Sequence, residues 1–201
     1  MRVKSRLVRQ RILDVAGELF VLHGFGAVSM SQVSATLGGS KSTLYNHFSS
    51  KEELFEAYVV EAGRERFAAL SEIDPASGDA RSVLTAFGRA FLGLLLSPDV
   101  LAINRLVIAE TPRFPALGEI FYEHGPRQTI DRIVALVESL RTRGLIETSD
   151  TEMAAFAFKA MTETDLYEKC LWGLVHIVEP LTIEAAVERA VDAFLVHYGA
   201  G

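Results

Sequence analysis

The chain has 201 residues, 49% of them apolar and 23% charged, with a formal net charge of -6; that length supports one large or two small domains, and that composition is globular rather than disordered or fibrous. A single cysteine, Cys170, excludes an intrachain disulfide and suits a reducing cytoplasm. The charge is uneven: residues 1–51 carry seven Lys/Arg against two Asp/Glu, a net +5 that leaves -11 on the remainder. A basic end on an acidic body fits a protein that holds a polyanion with one end.

The basic start, MRVKSRLVRQR, lacks the apolar run of a signal peptide. Ile12, Val15, Ala16, Leu19 and Phe20 then follow the spacing of one buried helix face. His23-Gly24 reads as its stop. Ser29 or Ser31 can cap a short second helix that buries Val33 and Leu37, and Gly38-Gly39 makes a turn. Ser40 can cap a third helix, with Leu44 and Phe48 inward. Ser49 or Ser50 can cap a fourth that runs to about Leu70, with Glu52 and Glu53 at its positive end.

Residues 74–79, DPASGD, read as a linker. Beyond it, helices are expected over about 80–96, 99–110, 115–124 and 126–143, the last stopped by Gly144. Thr151 to Trp172 reads as one long helix, and Thr182 to Tyr198 as the last. No segment alternates like a strand and no hairpin turn appears, so the expected fold is all-α. No apolar run approaches the ~20 residues of a bilayer span, and no membrane association is expected.

Helix two, the glycine turn and helix three make a helix-turn-helix, whose second helix enters a major groove of DNA. The segment Lys41 to His47 is about 10 Å long at 1.5 Å per residue, the reach of one groove entry. With Leu44 and Phe48 inward, Ser42, Thr43, Tyr45, Asn46 and His47 remain on or near the surface to meet base edges, sugars and phosphates. Lys41, Lys51 and the arginines near the start can neutralise phosphates.

These residues also carry a resemblance. Ile12-Leu13-Asp14, Ala16, Leu19-Phe20, Gly24-Phe25, Val33, Gly38, Ser40-Lys41, Thr43-Leu44-Tyr45, His47-Phe48 and Lys51-Glu52 with Leu54 are similar to the N-terminal domain of TetR-family transcriptional regulators. The resemblance implies an all-helical homodimer, with three DNA-binding helices over residues 1–51 and a larger effector-binding and dimerisation domain over 52–201. It also places Thr43, Tyr45, His47 and Lys51 at operator-touching positions and makes Ser42 and Asn46 candidates for base choice. Two positions depart from the pattern. The turn reads Leu37-Gly38-Gly39-Ser40 where Ala-Gly-Val-Ser is usual, so Leu37 is expected to fill the space of the missing valine. Ser34 stands where a small apolar residue is common.

The stretch from Arg105 to Leu117, with Phe121 to Pro126, is similar to the C-terminal domain of AcrR- and AefR-like members, some of which control efflux pumps. Aromatic residues in this part can line an apolar effector cavity, and Phe91, Arg105, Phe121 and Trp172 are the candidate contacts. Ala154, Ala155, Ala157, Phe158, Met161 and Leu166, then Ala186, Ala190, Ala193 and Phe194, give the last helices a small, apolar side that a twin could cover as a four-helix bundle. No catalytic constellation is found. The five histidines form no metal-spaced cluster, Cys170 sits in an apolar context, and neither a metal nor a cofactor is expected.

The expected function is thus a DNA-binding regulator: a homodimer on a palindromic double-stranded operator, released by a small, hydrophobic effector. The alternative is a helical-bundle binding protein or enzyme whose N-terminal helices serve protein contacts.

Overall fold

The computed structural model describes residues 2–200, without the side chains of residues 2–4, 65 and 66. Among the described residues eleven helices follow in chain order: α1 (Arg2–His23), α2 (Met30–Leu37), α3 (Lys41–Tyr45), α4 (Lys51–Ser71), α5 (Ala80–Leu95), α6 (Pro98–Glu110), α7 (Pro115–His124), α8 (Pro126–Thr142), α9 (Thr151–Glu163), α10 (Leu166–Leu171) and α11 (Pro180–Tyr198). The described residues contain no strand, only one isolated antiparallel bridge between Ile146 and Gly199.

The helix starts are written in short polar side chains. The hydroxyl of Ser29 accepts the Gln32 N–H at 3.2 Å, and that of Ser40 accepts the Thr43 N–H at 3.3 Å. Asp79 and Asp150 cap α5 and α9 in the same way, at 2.7 and 2.9 Å. At α4, Ser50 accepts the Glu53 N–H while the Glu53 carboxylate accepts both the N–H and the hydroxyl of Ser49. That is a reciprocal cap shifted by one residue.

The chain divides into two compact units. The first takes the residues up to Gly63 together with Ala102–His124; the second takes Arg64–Leu101 and the residues from Gly125 on. This differs from a division after residue 51. Ile103, Leu106, Val107 and Leu117 place their apolar side chains in one core with Ile12, Leu13, Ala16, Phe20, Val33, Leu44, Phe48, Leu54 and Phe55. The rings of Phe20, Phe25 and Phe55 meet at centroid distances of 5.4–5.8 Å at its centre. Buried Gly17 lets α1 approach α4, since a Cβ there would collide with the Tyr58 ring.

In the second unit α9 packs on α8 and α11, and α11 packs on α5. Its core is a relay of rings, Phe91–Phe87–Phe158–Phe194–Tyr198, each in contact with the next. Gly88 permits the close approach of α5 and α11, for a Cβ there would lie 2.8 Å from Val187 Cγ1. Arg143 donates to the carbonyls of Pro75 and Gly78 and so ties down the linker-like segment.

Two expectations about the last helices are corrected. The helix expected over Thr151–Trp172 is two helices, α9 and α10. Between them Asp165 has φ 56 and ψ -60, and the Leu166 N–H donates to the Thr164 carbonyl at 2.6 Å, a γ-turn with positive φ. Apolar periodicity alone does not register such a break. Most of the small-residue side of these helices also faces the chain's own core, while Ala157, Met161 and Leu166 are half-buried and Ala193 is exposed. Ala154, Ala155, Phe158, Ala186, Ala190 and Phe194 are buried within the unit. The apolar side chains left outside are Met153 and Phe156 on α9, Trp172, Leu174 and Ile177 after it, and Leu181 and Val196 on α11.

Candidate nucleic-acid interface

The turn that orients α3 is built by Gly38, which takes the left-handed conformation at φ 68 and returns its N–H to the Ala35 carbonyl at 3.1 Å. α3 is a single turn of regular helix. Its hydrogen bonds continue from Asn46 to Ser42 and from Phe48 to Leu44, so the helical path reaches Phe48. Leu44 and Phe48, four residues apart, are 1% and 2% exposed and fasten α3 to the core. The other residues of this stretch point the other way. Lys41, Ser42, Thr43, Tyr45 and Asn46 are exposed, and His47 is half-buried beside Phe48. Tyr45 is 50% exposed, more than an aromatic side chain gives to solvent in a core. One face therefore gathers two hydroxyls, an amide, a phenol and an ammonium, a set able to donate to and accept from base edges and phosphates.

Lys51, the seventh candidate, is placed differently. Its Nζ donates to the carbonyls of Phe25 and Val28, both at 2.8 Å, and lies 4.2 Å from the centroid of the Phe25 ring. Burial holds its ammonium below the ordinary lysine value; Glu52 and Glu110 raise it in part, and Arg113 lowers it further. Lys51 thus fastens the α1–α2 turn to the start of α4. The same turn is held from α6, where the Glu110 carboxylate accepts the Gly26 N–H at 3.1 Å, and by Phe114, edge-on to Phe25 at 5.3 Å. Sequence reasoning missed the hold of Glu110 and Phe114 on this turn because they lie more than 80 positions from it. His124, also in this unit, meets Glu56 at 2.8 Å.

The turn's unusual sequence has a visible consequence. Ser34 is 3% exposed and donates its hydroxyl to the Gly39 carbonyl at 3.4 Å. Leu37 is half-buried, and a cleft of about 260 Å³ remains, lined among others by Val8, Arg11, Ser34, Leu37, Gly39 and Thr43. Nothing lies within 4 Å of a Cβ built on Gly39. Leu37 therefore does not fill the place left by the absent valine.

The four candidate effector contacts are not brought together. Phe91 is 1% exposed inside the second unit's core. Trp172, at the end of α10 in the same unit, is 68% exposed. Phe121 packs against the first unit's core, and Arg105, on α6, is exposed. The second unit does contain an apolar cleft of about 210 Å³, lined by Leu70, Ile73, Phe87 and Leu136 with Ser71 and Arg132 at its polar part. Arg132 donates to the Ser71 hydroxyl and stacks over Phe67. None of the four candidates lines it. Among the described residues no group of three or more His, Cys, Asp or Glu side chains is placed to hold a metal.

Residues 12–58 match the family profile described as bacterial regulatory proteins of the tetR family, and residues 82–200 match that of the AefR-like transcriptional repressor C-terminal domain. The chain belongs to the TetR family of transcriptional regulators. Among solved structures, the flavonoid-responsive regulator FrrA is 30% identical with a TM-score of 0.83, over 96% of this chain and 97% of that one. A TetR-family regulator from Mesorhizobium loti MAFF303099 is 26% identical with a TM-score of 0.83, over 97% and 98%. Among curated proteins, UidR of Escherichia coli K12 is 38% identical over 61 residues, 30% of this chain and 31% of UidR. That match spans under a third of its length. The matched families are DNA-binding transcriptional regulators and not enzymes, which leaves the enzyme alternative without support. No single helix among the described residues is long and apolar enough to cross a membrane.

Proposed function

We propose that this TetR-family chain is a cytoplasmic, ligand-responsive repressor that binds an approximately palindromic operator as a homodimer and is released by a small hydrophobic effector. The observation that carries the reading is the polar face of α3. Lys41, Ser42, Thr43, Tyr45 and Asn46 are exposed on a turn of helix that Leu44 and Phe48 anchor from behind. Ser42 and Thr43 meet the Ser40 hydroxyl within the unit, and the set as a whole, with its half-exposed phenol, is one that a major groove can use. His47, half-buried beside Phe48, flanks the face.

A homodimer accounts for the apolar side chains outside the second unit's core. Phe156 is 45% exposed and Val196 90% exposed, and a second copy would cover them across a two-fold axis. The same axis would set two α3 helices against half-sites about 34 Å apart. An effector acts only if it binds the two states of the dimer with different affinity. The flavonoid responsiveness of FrrA supports a planar aromatic effector; the second unit's apolar cleft or a cavity opened on binding would take it.

A second reading keeps the DNA and discards the effector. The contiguous rings from Phe91 to Tyr198 support a constitutive regulator whose core is already filled. Mobility shift on the DNA upstream of its own gene, at two salt concentrations, followed by thermal shift with flavonoids and other hydrophobic compounds, separates the readings. A salt-sensitive two-subunit complex dissolved by a compound that also raises Tm supports the first. A complex that no compound alters supports the second, and no DNA complex with any genomic fragment overturns both.

A further inference from the structure

The helix-turn-helix is packed by side chains from three helices, and at Gly39 that packing stops short. A Cβ built there meets nothing within 4 Å, and the half-buried Leu37 does not close the space. The cleft of about 260 Å³ that results lies wholly within the first unit, among α1, α2 and the start of α3. For scale, an apolar cavity of about 150 Å³ holds benzene.

The lining of the cleft is graded. Ile12, Ser34 and Leu44, which are 1%, 3% and 1% exposed, close its inner part, and the exposed Arg11 and Thr43 border its outer part. Ser34 is the polar group of the inner part. Its hydroxyl donates to the Gly39 carbonyl at 3.4 Å, longer than an ordinary O–H···O hydrogen bond, and among the described residues its oxygen accepts none. Among the described residues the Arg11 guanidinium meets no carboxylate. It also lies in the segment, residues 1–51, whose net charge is +5. A small cleft with apolar walls, an inner acceptor and an outer cation suits an occupant of matching order: a hydrogen-bond donor, an apolar body and an anion.

We infer that this cleft is a binding site for a small aromatic acid, a single hydroxylated ring with one carboxylate. The carboxylate pairs with Arg11, the ring lies against Ile12 and Leu44 beside Gly39, and the ring hydroxyl donates to Ser34. This site is separate from the second unit's cleft, and it stands whether or not the chain binds DNA. Its consequence rests on the DNA-binding reading above. An acid held against Thr43 stands beside the α3 face and competes with DNA directly, with no part played by the second unit.

The test uses the full chain with isotope-labelled Ile, Leu and Val methyl groups, titrated with para-hydroxybenzoate and followed by NMR. Saturable shifts are expected at Ile12, Leu37 and Leu44, and none at Ile133 or Val137 of the second unit's core. Gly39→Val, which grows into the cleft, should abolish them, and Gly39→Ala should weaken them in part. Arg11→Gln should weaken the acid about tenfold, the worth of one charge-assisted hydrogen bond. The neutral para-hydroxybenzyl alcohol should bind that variant and the unsubstituted chain equally. Benzoate, which has no hydroxyl for Ser34, should bind more weakly than para-hydroxybenzoate. In fluorescence anisotropy the acid should lower the affinity of the unsubstituted chain for a duplex selected from genomic fragments and leave that of Gly39→Val unchanged. Absence of saturable shifts at Ile12 and Leu44, the same shifts in Gly39→Val, or shifts confined to the second unit overturns the site. Shifts at Ile12 and Leu44 with unchanged DNA affinity overturn the competition alone. A chain that takes the acid in this cleft and binds no genomic fragment overturns the DNA reading and leaves the site standing.

Discussion

The two units both expose single apolar side chains, such as Leu22 and Val60 in the first and Leu181 and Val196 in the second, but differ in the company their exposed aromatic residues keep: Tyr45 stands among polar neighbours on α3, Phe156 and Trp172 among apolar ones. In the first, the aromatic residues around Phe20, Phe25 and Phe55 are sealed and a polar face stands outside on α3. In the second, the polar surface is ordinary ion-paired helix, as in Arg81–Asp192 and Arg89–Glu184, and the leftover side chains are apolar. A unit that exposes polar groups and a phenol on one helix suits a polyanion with readable edges. A unit that leaves Phe156, Trp172 and Val196 outside suits an apolar partner surface. Residue type alone therefore says little; which residues remain after the core has taken its share says more.

The comparison breaks first at Phe91. As a core residue it should cost about 3–5 kcal/mol when changed to alanine, read by urea unfolding. Trp172→Ala should stay within ~0.5 kcal/mol for the isolated chain and weaken self-association in sedimentation. Equal, small losses at both would make Phe91 a cavity wall instead. Next comes the polar face. Tyr45→Ala with Asn46→Ala should lose roughly 2–4 kcal/mol of binding to a selected DNA at unchanged Tm, because neither side chain supports the core. Lys51→Met should cost about 2 kcal/mol of stability through two carbonyls left without a donor, visible as a lower urea midpoint.

Smaller effects sharpen the contrast. Gly39→Ala meets no neighbour and has no positive φ to lose, so it should raise stability by about 0.5 kcal/mol by restricting the unfolded chain; a loss would mean that the turn needs the glycine. In the second unit, burial and then Glu163 push the Tyr167 phenol up to about 12 from 10.0. Its contribution is fully present below pH 10 and is lost as pH rises towards 12, because the unfolded chain releases that proton first. Tyr167→Phe should therefore lose less stability on alkaline titration than the unsubstituted chain.

The helix-turn-helix was legible because its information is local. Ser29, Gly38, Ser40 and the Leu44–Phe48 pair act within a few residues of themselves, and their spacing fixes both caps and faces. The fourth helix and the breaks near Gly125 and Gly144 were read for the same reason. What escaped is tertiary. The return of α6 and α7 into the first unit's core, the Glu110–Gly26 hydrogen bond and the inward turn of Lys51 join distant positions with no local mark. The γ-turn at Asp165 escaped because the apolar pattern runs through it. The candidate effector contacts were chosen as aromatic or polar side chains in the right part of the chain, and Phe91 and Trp172 show that this does not decide between core and surface.

The exposed face of α3 is expected to read DNA sequence as one half of a two-fold pair. Selection of genomic fragments by the purified full chain, followed by sequencing of the bound pool, tests it most directly. The expected result is a shared, approximately palindromic motif with half-sites about 34 Å apart, lost from the pool when Tyr45 and Asn46 are both alanine. A bound pool with no common motif, or the same motif recovered by that variant, would contradict it.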